Sequence, residues 1–167
     1  GAGPLHAVDV ARELGMSEVL IPPYPGITSA VGLLTTDLKY DTIRTEFQVS
    51  GDIDLPRLNS DLATMEEELT DQFLADGLDR SGLSFLRSGD LRYVGQGYEL
   101  RITFPDGLLD DDSLTGIFEQ FHNQHRAEYG HGFLNSAIEI VNARVTGVGQ
   151  MPKIRQPDSI DAGTRES

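Results

Sequence analysis

The chain has 167 residues, 38% of them hydrophobic and 24% charged, with a formal net charge of −14. This suits one compact domain, or one domain with a fragment of a neighbour. It holds no cysteine, which excludes disulfides, thiolate metal sites and a cysteine nucleophile. An acidic field of this size repels phosphate backbones and anionic lipid, so nucleic acid and membrane surfaces are not expected partners.

The chain opens on Gly1-Ala2-Gly3-Pro4, a glycine-rich turn without an initiator methionine, and reads as a fragment whose upstream portion is missing. Pro4 to Leu14 is expected as a helix, with proline in its first turn and Gly15 as its left-handed cap. Val19-Leu20-Ile21 reads as a short buried strand stopped by Pro22-Pro23, and Ile27 to Leu34 as a small-residue helix. Lys39 to Val49 is rich in Thr, Phe and Val and reads as a long strand.

Leu55, Leu58, Leu62, Met65 and Leu69 recur at spacings of three and four, and Phe73 continues the stripe to Gly77. That period predicts a long amphipathic helix, with Glu66, Glu67 and Glu68 on its polar face. Leu91 to Phe104 reads as a strand region, alternating from Tyr98 onward and interrupted by a bulge or bend at Gly95-Gln96-Gly97. Asp110-Asp111-Asp112 supplies an N-cap for a helix from about Ser113 to Tyr129, and Ala137 to Val148 is a last strand. From Pro152 onward the polar, unpatterned segment is expected to be disordered. Two helices with three or four strands predict an α+β sandwich, the helices covering one face of a mainly antiparallel sheet.

Few constellations carry chemistry. A glycine turn at a helix start presents N–H groups and a positive dipole end to an anion, so Gly1 to Pro4 reads either as a phosphate cradle or as a plain turn. The spacing is not GxGxxG, because His6 stands where the third glycine would be. His122 and His125, three apart on one helix, could share a metal; His125 also falls on the apolar stripe, which favours a hydrogen-bonded core histidine. Ser29 has no triad partners that the sequence shows, and the three aspartates lack calcium-loop spacing. Tyr93, Gln96 and Glu99 surround the glycine bend and either line a site or stabilise a bulge.

Gly1-Ala2-Gly3-Pro4-Leu5-His6-Ala7 and Ala11-Arg12-Glu13-Leu14-Gly15 resemble the opening signature of a block in the hydantoinase A / 5-oxoprolinase family. Pro22 to Gly26, Ser29 to Leu34, Leu91 to Leu100, Glu128 to His131 and Glu139 to Val145 are similar to later blocks, in the same order. The family includes N-methylhydantoinase A, 5-oxoprolinase and subunits of acetone and acetophenone carboxylases. The resemblance implies a C-terminal piece of an ATP-dependent cyclic amidohydrolase that acts with Mg²⁺, a hydantoinase B-like partner and a small cyclic amide substrate in the cytoplasm. A carboxylase subunit and a non-catalytic docking domain are the alternatives. It implies that residues 1–37 end an actin-like ATPase domain, that 38–150 form a C-terminal α+β domain, and that 151–167 are a disordered tail. Gly1, Gly3 and His6 would lie near the nucleotide. No catalytic or metal-ligating residue is expected within the chain, whose piece alone should be inactive, without a tightly held cofactor.

Overall fold

The structure, a computed structural model, describes residues 2–22, 24–34 and 36–151. Gly1 and the expected tail beyond Met151 lie outside the described residues. The chain divides into two compact units, one within residues 1–36 and the other Asp37–Gln150.

In the first unit, helix α1 spans Gly3–Glu13 and a 3₁₀ turn at Pro25–Ile27 leads into α2, Thr28–Leu34. Ala11 is its only buried hydrophobic residue among those described. Val19-Leu20-Ile21, expected as a strand, is not one: Leu20 is 88% exposed and the segment pairs with no strand among the described residues. A run of β-formers becomes a strand only when a neighbour takes its backbone N–H and C=O groups.

The second unit is a four-stranded antiparallel sheet in the order β1-β4-β2-β3, with β1 at Leu38–Val49, β2 at Leu83–Tyr93, β3 at Leu100–Thr103 and β4 at Ile138–Gly149. Helices α3, Leu55–Ala75, and α4, Asp111–Tyr129, supply the apolar stripes that cover one face. The N-caps follow the sequence: Asp54 accepts the Arg57 N–H at 3.0 Å, and Asp110 accepts the Ser113 N–H at 2.8 Å. Leu58, Leu62, Met65, Leu69 and Phe73 of α3 pack with Leu114, Ile117 and Phe121 of α4 over Leu91, Tyr93, Ile102, Ile140, Ala143 and Val145. Phe73 sits so close to β4 that a Cβ at Gly147 would fall 2.6 Å from its ring.

The strand region expected from Leu91 to Phe104, with its bulge or bend at the glycines, is a hairpin of β2 and β3. Its first arm starts earlier, at Leu83, and Gly95 turns with φ +89°. The early part of β2 escapes pattern reading because its outward face carries Leu86 and its inward face Arg87. Both pairings of β4 are irregular: β1 bulges between Thr45 and Gln48, and β2 shifts register against β4 between Asp90 and Leu91.

Candidate functional site

Three places hold polar groups in unusual settings, and the residues singled out from sequence divide among them. Gly3 is the first residue of α1, and a Cβ there would meet nothing within 4 Å. His6 lies exposed one turn on. The cradle this turn offers is narrow, since Pro4 carries no N–H and the Leu5 N–H turns back to the Ala2 carbonyl at 3.0 Å. Beside it, Pro4, Ala7, Leu20, Ile21, Pro22, Pro25 and Thr28 line a recess of about 130 Å³. His6 is not among the lining residues, so the structure places the turn and the recess side by side and leaves the imidazole outside.

The second place is where β2 ends. Phe133 donates its N–H to the Tyr93 hydroxyl oxygen at 3.0 Å, and that hydroxyl lies 2.7 Å from His122 Nδ1. The phenol proton is therefore aimed at Nδ1, which leaves the His122 proton on Nε2. Burial, with Arg126 and His125 nearby, holds the His122 pKa below its ordinary value. His125 is 1% exposed and its Nδ1 lies 2.8 Å from the His131 carbonyl, so Nδ1 donates and Nε2 keeps its lone pair. That Nε2 is buried without a partner among the described residues, as is Gln96 Oε1 in the glycine bend. His125 is thus a hydrogen-bonded core histidine, ringed by Tyr93, Phe121, Tyr129 and Phe133. His122 and His125 are tied to separate partners, and among the described residues no group of three His, Asp or Glu side chains is placed to hold a metal ion. Tyr93 and Glu99 act in the scaffold: Glu99 lies 3.5 Å from Arg92, which grips Glu139 at 2.7 Å.

The third place was not legible from sequence. Asp90, 5% exposed in the middle of β2, accepts from Arg144 Nε at 2.7 Å and Asn142 Nδ2 at 3.1 Å, with Arg101 Nε at 3.5 Å. These residues come from three strands, and only the register of β2 against β3 and β4 brings them together. Asn142 and Arg144 lie in the block Glu139 to Val145 singled out above, two apart, which is the one signal that they share a face of a strand.

Residues 1–42 match the family model described as Hydantoinase/oxoprolinase. Among curated proteins, the chain is 33% identical over 153 residues to an uncharacterized protein of Methanocaldococcus jannaschii, covering 92% of this chain and 21% of that one. It is 29% identical over 161 residues to caprolactamase subunit alpha of Pseudomonas jessenii, covering 95% and 23%. It is 30% identical over 162 residues to 5-oxoprolinase 1 of Arabidopsis thaliana, covering 97% and 13%. A solved structure, the ATP-dependent caprolactamase from Pseudomonas jessenii, superposes with a TM-score of 0.70 at 29% identity, over 94% of this chain and 24% of that one. The chain therefore spans less than a quarter of the length of each of these relatives.

Proposed function

From a chain that belongs to the hydantoinase/oxoprolinase family, we propose that it forms part of an ATP-dependent enzyme that opens a cyclic amide ring. The observation that carries this reading is the coincidence of two lactam-opening relatives. A caprolactamase subunit and a 5-oxoprolinase each align over at least 95% of the chain. The finer reading, an N-methylhydantoinase-type activity on a hydantoin ring, rests on the GAGPLHA-type opening of residues 1–7.

In this reading residues 1–37 close the ATPase domain and 38–150 form the C-terminal α+β domain, with 151–167 as a tail. Gly1, Gly3 and His6 lie toward the nucleotide. Gly3 at the head of an 11-residue helix supports this, because the positive end of the helix dipole favours a phosphate oxygen. ATP with Mg²⁺ supplies the phosphoryl group that activates the amide oxygen, and the residues that hold it lie outside this chain. The partner is a hydantoinase B-like subunit, a reading supported by the word subunit in the caprolactamase relative's name. The enzyme works in the cytoplasm; among the described residues no helix is long and apolar enough to cross a membrane.

The test is ATP hydrolysis by the longer protein with its partner subunit, against N-methylhydantoin, hydantoin, 5-oxoproline, caprolactam, and acetone with bicarbonate. Phosphate release stimulated by one cyclic amide supports the reading and names the substrate. Stimulation by acetone alone replaces it with a carboxylase. Turnover of ATP by residues 1–167 alone defeats the assignment of the nucleotide-holding residues to another part of the protein.

A further inference from the structure

Strand β1 lies at the edge of the sheet, and its two halves meet α3 differently. Leu38 and Tyr40 pack against the apolar core, and no later residue of β1 joins them. Beyond them the positions turned inward are Thr42, Arg44, Glu46 and Gln48. This half is therefore attached to α3 and its cap through polar contacts.

Glu46 is the group there least suited to its surroundings. Its side chain is fully buried, and Oε1 meets no donor among the described residues. Gln48 has none to spare, because its oxygen takes the Asp54 N–H and its nitrogen already donates to Glu46 Oε2. Asp61 of α3 shares the Arg57 guanidinium with Glu46, at 3.7 and 3.6 Å, and lies within hydrogen-bonding reach of the Glu46 carboxyl. The other charged groups about it are Arg44 on its own strand, Glu68 beyond Arg44, and Asp54 at the helix cap. On the other side β4 opposes the bulge with Asn142 and Ile140, which carry no charge. Acids outnumber bases in this group, so one proton lessens the imbalance.

The backbone is weak at the same place. Glu46 and Phe47 fall in the bulge, outside the register of β1 against β4. Phe47, 61% exposed, is held at φ +48°, a left-handed setting unfavourable for a bulky side chain. Opening here gives up few ladder bonds and relieves that strain.

We propose that the bulge is a proton-operated latch: a proton shared by Glu46 and Asp61 holds the second half of β1 on α3, and its loss lets residues 45–49 lift from the helix. Arg44, at 2.6 Å, and Arg57 already engage Asp61, so the proton sits on Glu46, where Oε1 becomes a donor to the Asp61 carboxylate. Without it two carboxylates face each other in a site closed to water, and Oε1 keeps no partner. Lifting the strand hydrates both, while the apolar half of β1 stays attached.

The amides of Ser50, bonded to the Ile138 carbonyl at 2.7 Å, and of Asp54, bonded to Gln48 Oε1 at 2.7 Å, report on this opening. Hydrogen exchange at these two amides in the longer protein, between about pH 5 and pH 9 and corrected for intrinsic base catalysis, tests it. Exchange should accelerate by about tenfold per pH unit once the proton is lost, the linkage of one proton. The Phe104 amide, bonded to the Arg87 carbonyl on the far side of the sheet, should keep its protection. Glu46→Gln carries a fixed donor in place of the proton and should hold both amides closed across the range. Asp61→Asn, which offers an amide donor to the ionised Glu46, should do the same. Protection at Ser50 and Asp54 that is flat with pH in the unmodified protein overturns the proposal. So does an acceleration that persists in both variants, or one that Phe104 shares equally.

Discussion

The guanidinium of Arg57 stands 3.6 Å from Glu46 Oε2, a carboxylate whose side chain is fully buried behind the β1 bulge. Around this contact a closed circuit of hydrogen bonds joins β1 to the start of α3. Gln48 Nε2 donates to Glu46 Oε2 at 2.7 Å, the Asp54 N–H donates to Gln48 Oε1 at 2.7 Å, and the Arg57 N–H donates to Asp54 Oδ1 at 3.0 Å. The circuit leaves Glu46 Oε1 buried without a partner.

Glu46 therefore favours its proton. Burial raises its pKa above the ordinary carboxylate value, and the neighbouring Asp61 adds to that against the pull of Gln48 and Arg57. Between about pH 4.3, the unfolded value, and its folded value the native state binds more protons than the unfolded chain. The contribution of this group is thus complete below about pH 4.3 and lost as pH rises through the folded value. Glu46→Gln keeps an acceptor for Gln48 and Arg57 and places a permanent donor where the acid proton sits. It should raise the melting temperature at pH 7.5 by about 2–4 °C, the effect of roughly 1 kcal/mol in a chain of this size, and leave it unchanged near pH 4. Thermal melts at the two pH values decide it.

His122 works in the opposite direction. Its folded pKa is depressed, so as pH falls the unfolded chain takes up the proton first. The contribution is complete above about pH 6.5, the ordinary imidazole value, and is lost as pH falls toward the folded one. Tyr93→Phe removes the hydroxyl that meets both Phe133 N–H and His122 Nδ1, and should cost about 1–3 kcal/mol by stranding those groups. The expected signature is a melting temperature lower at pH 7.5 than that of the unmodified protein, with the fall from pH 7.5 to 5.5 retained, because the burial and the Arg126 and His125 charges that depress His122 stay in place. Loss of that fall would assign the acid sensitivity to the Tyr93 hydroxyl.

Gly89 is expected to tolerate no side chain. A Cβ there would lie 2.4 Å from Phe104 Cζ and 2.8 Å from Leu91 Cδ1, both packed in the core. Gly89→Ala should destabilise by about 1–3 kcal/mol through overpacking. Gly116→Ala, where a Cβ meets nothing within 4 Å, should be neutral or mildly stabilising in its helix. Urea unfolding midpoints of the two variants make the comparison.

Where a period or a cap writes itself into neighbouring residues, the sequence reading and the structure agree. The Leu55 to Phe73 stripe is the buried face of α3, and Asp110 caps α4 as its position implies. The α+β class followed from those elements. What failed to show depends on contacts between distant positions. Asp90 and Arg144 are 54 residues apart and meet only through strand register. Glu66 was read with Glu67 and Glu68 as a solvated acidic face, yet it turns inward to Arg87 of β2. The partnerless Val19 to Ile21 segment is the reverse case, since its residue types suit a strand while nothing among the described residues pairs with it.

The Arg87–Glu66 contact ties α3 to β2 through a pair that substitution can probe. Arg87 Nε lies 2.6 Å from Oε1 and its terminal nitrogen 2.9 Å from Oε2, the two-pronged geometry that a guanidinium and a carboxylate favour. Arg87 also donates to the Gly107 carbonyl, so one side chain fixes helix, strand and the loop before α4. Both groups are more than three-quarters covered, which leaves little water to replace a lost partner. Arg87→Ala should cost about 2–4 kcal/mol and Glu66→Ala about 1–3 kcal/mol, because each strands the opposite charge in a largely covered setting. The double variant should lose less than the two single losses together, with a coupling of about 0.5–3 kcal/mol. Strictly additive losses in urea unfolding would mean that the pair contributes through packing of the arginine stem, with no specific ionic contact.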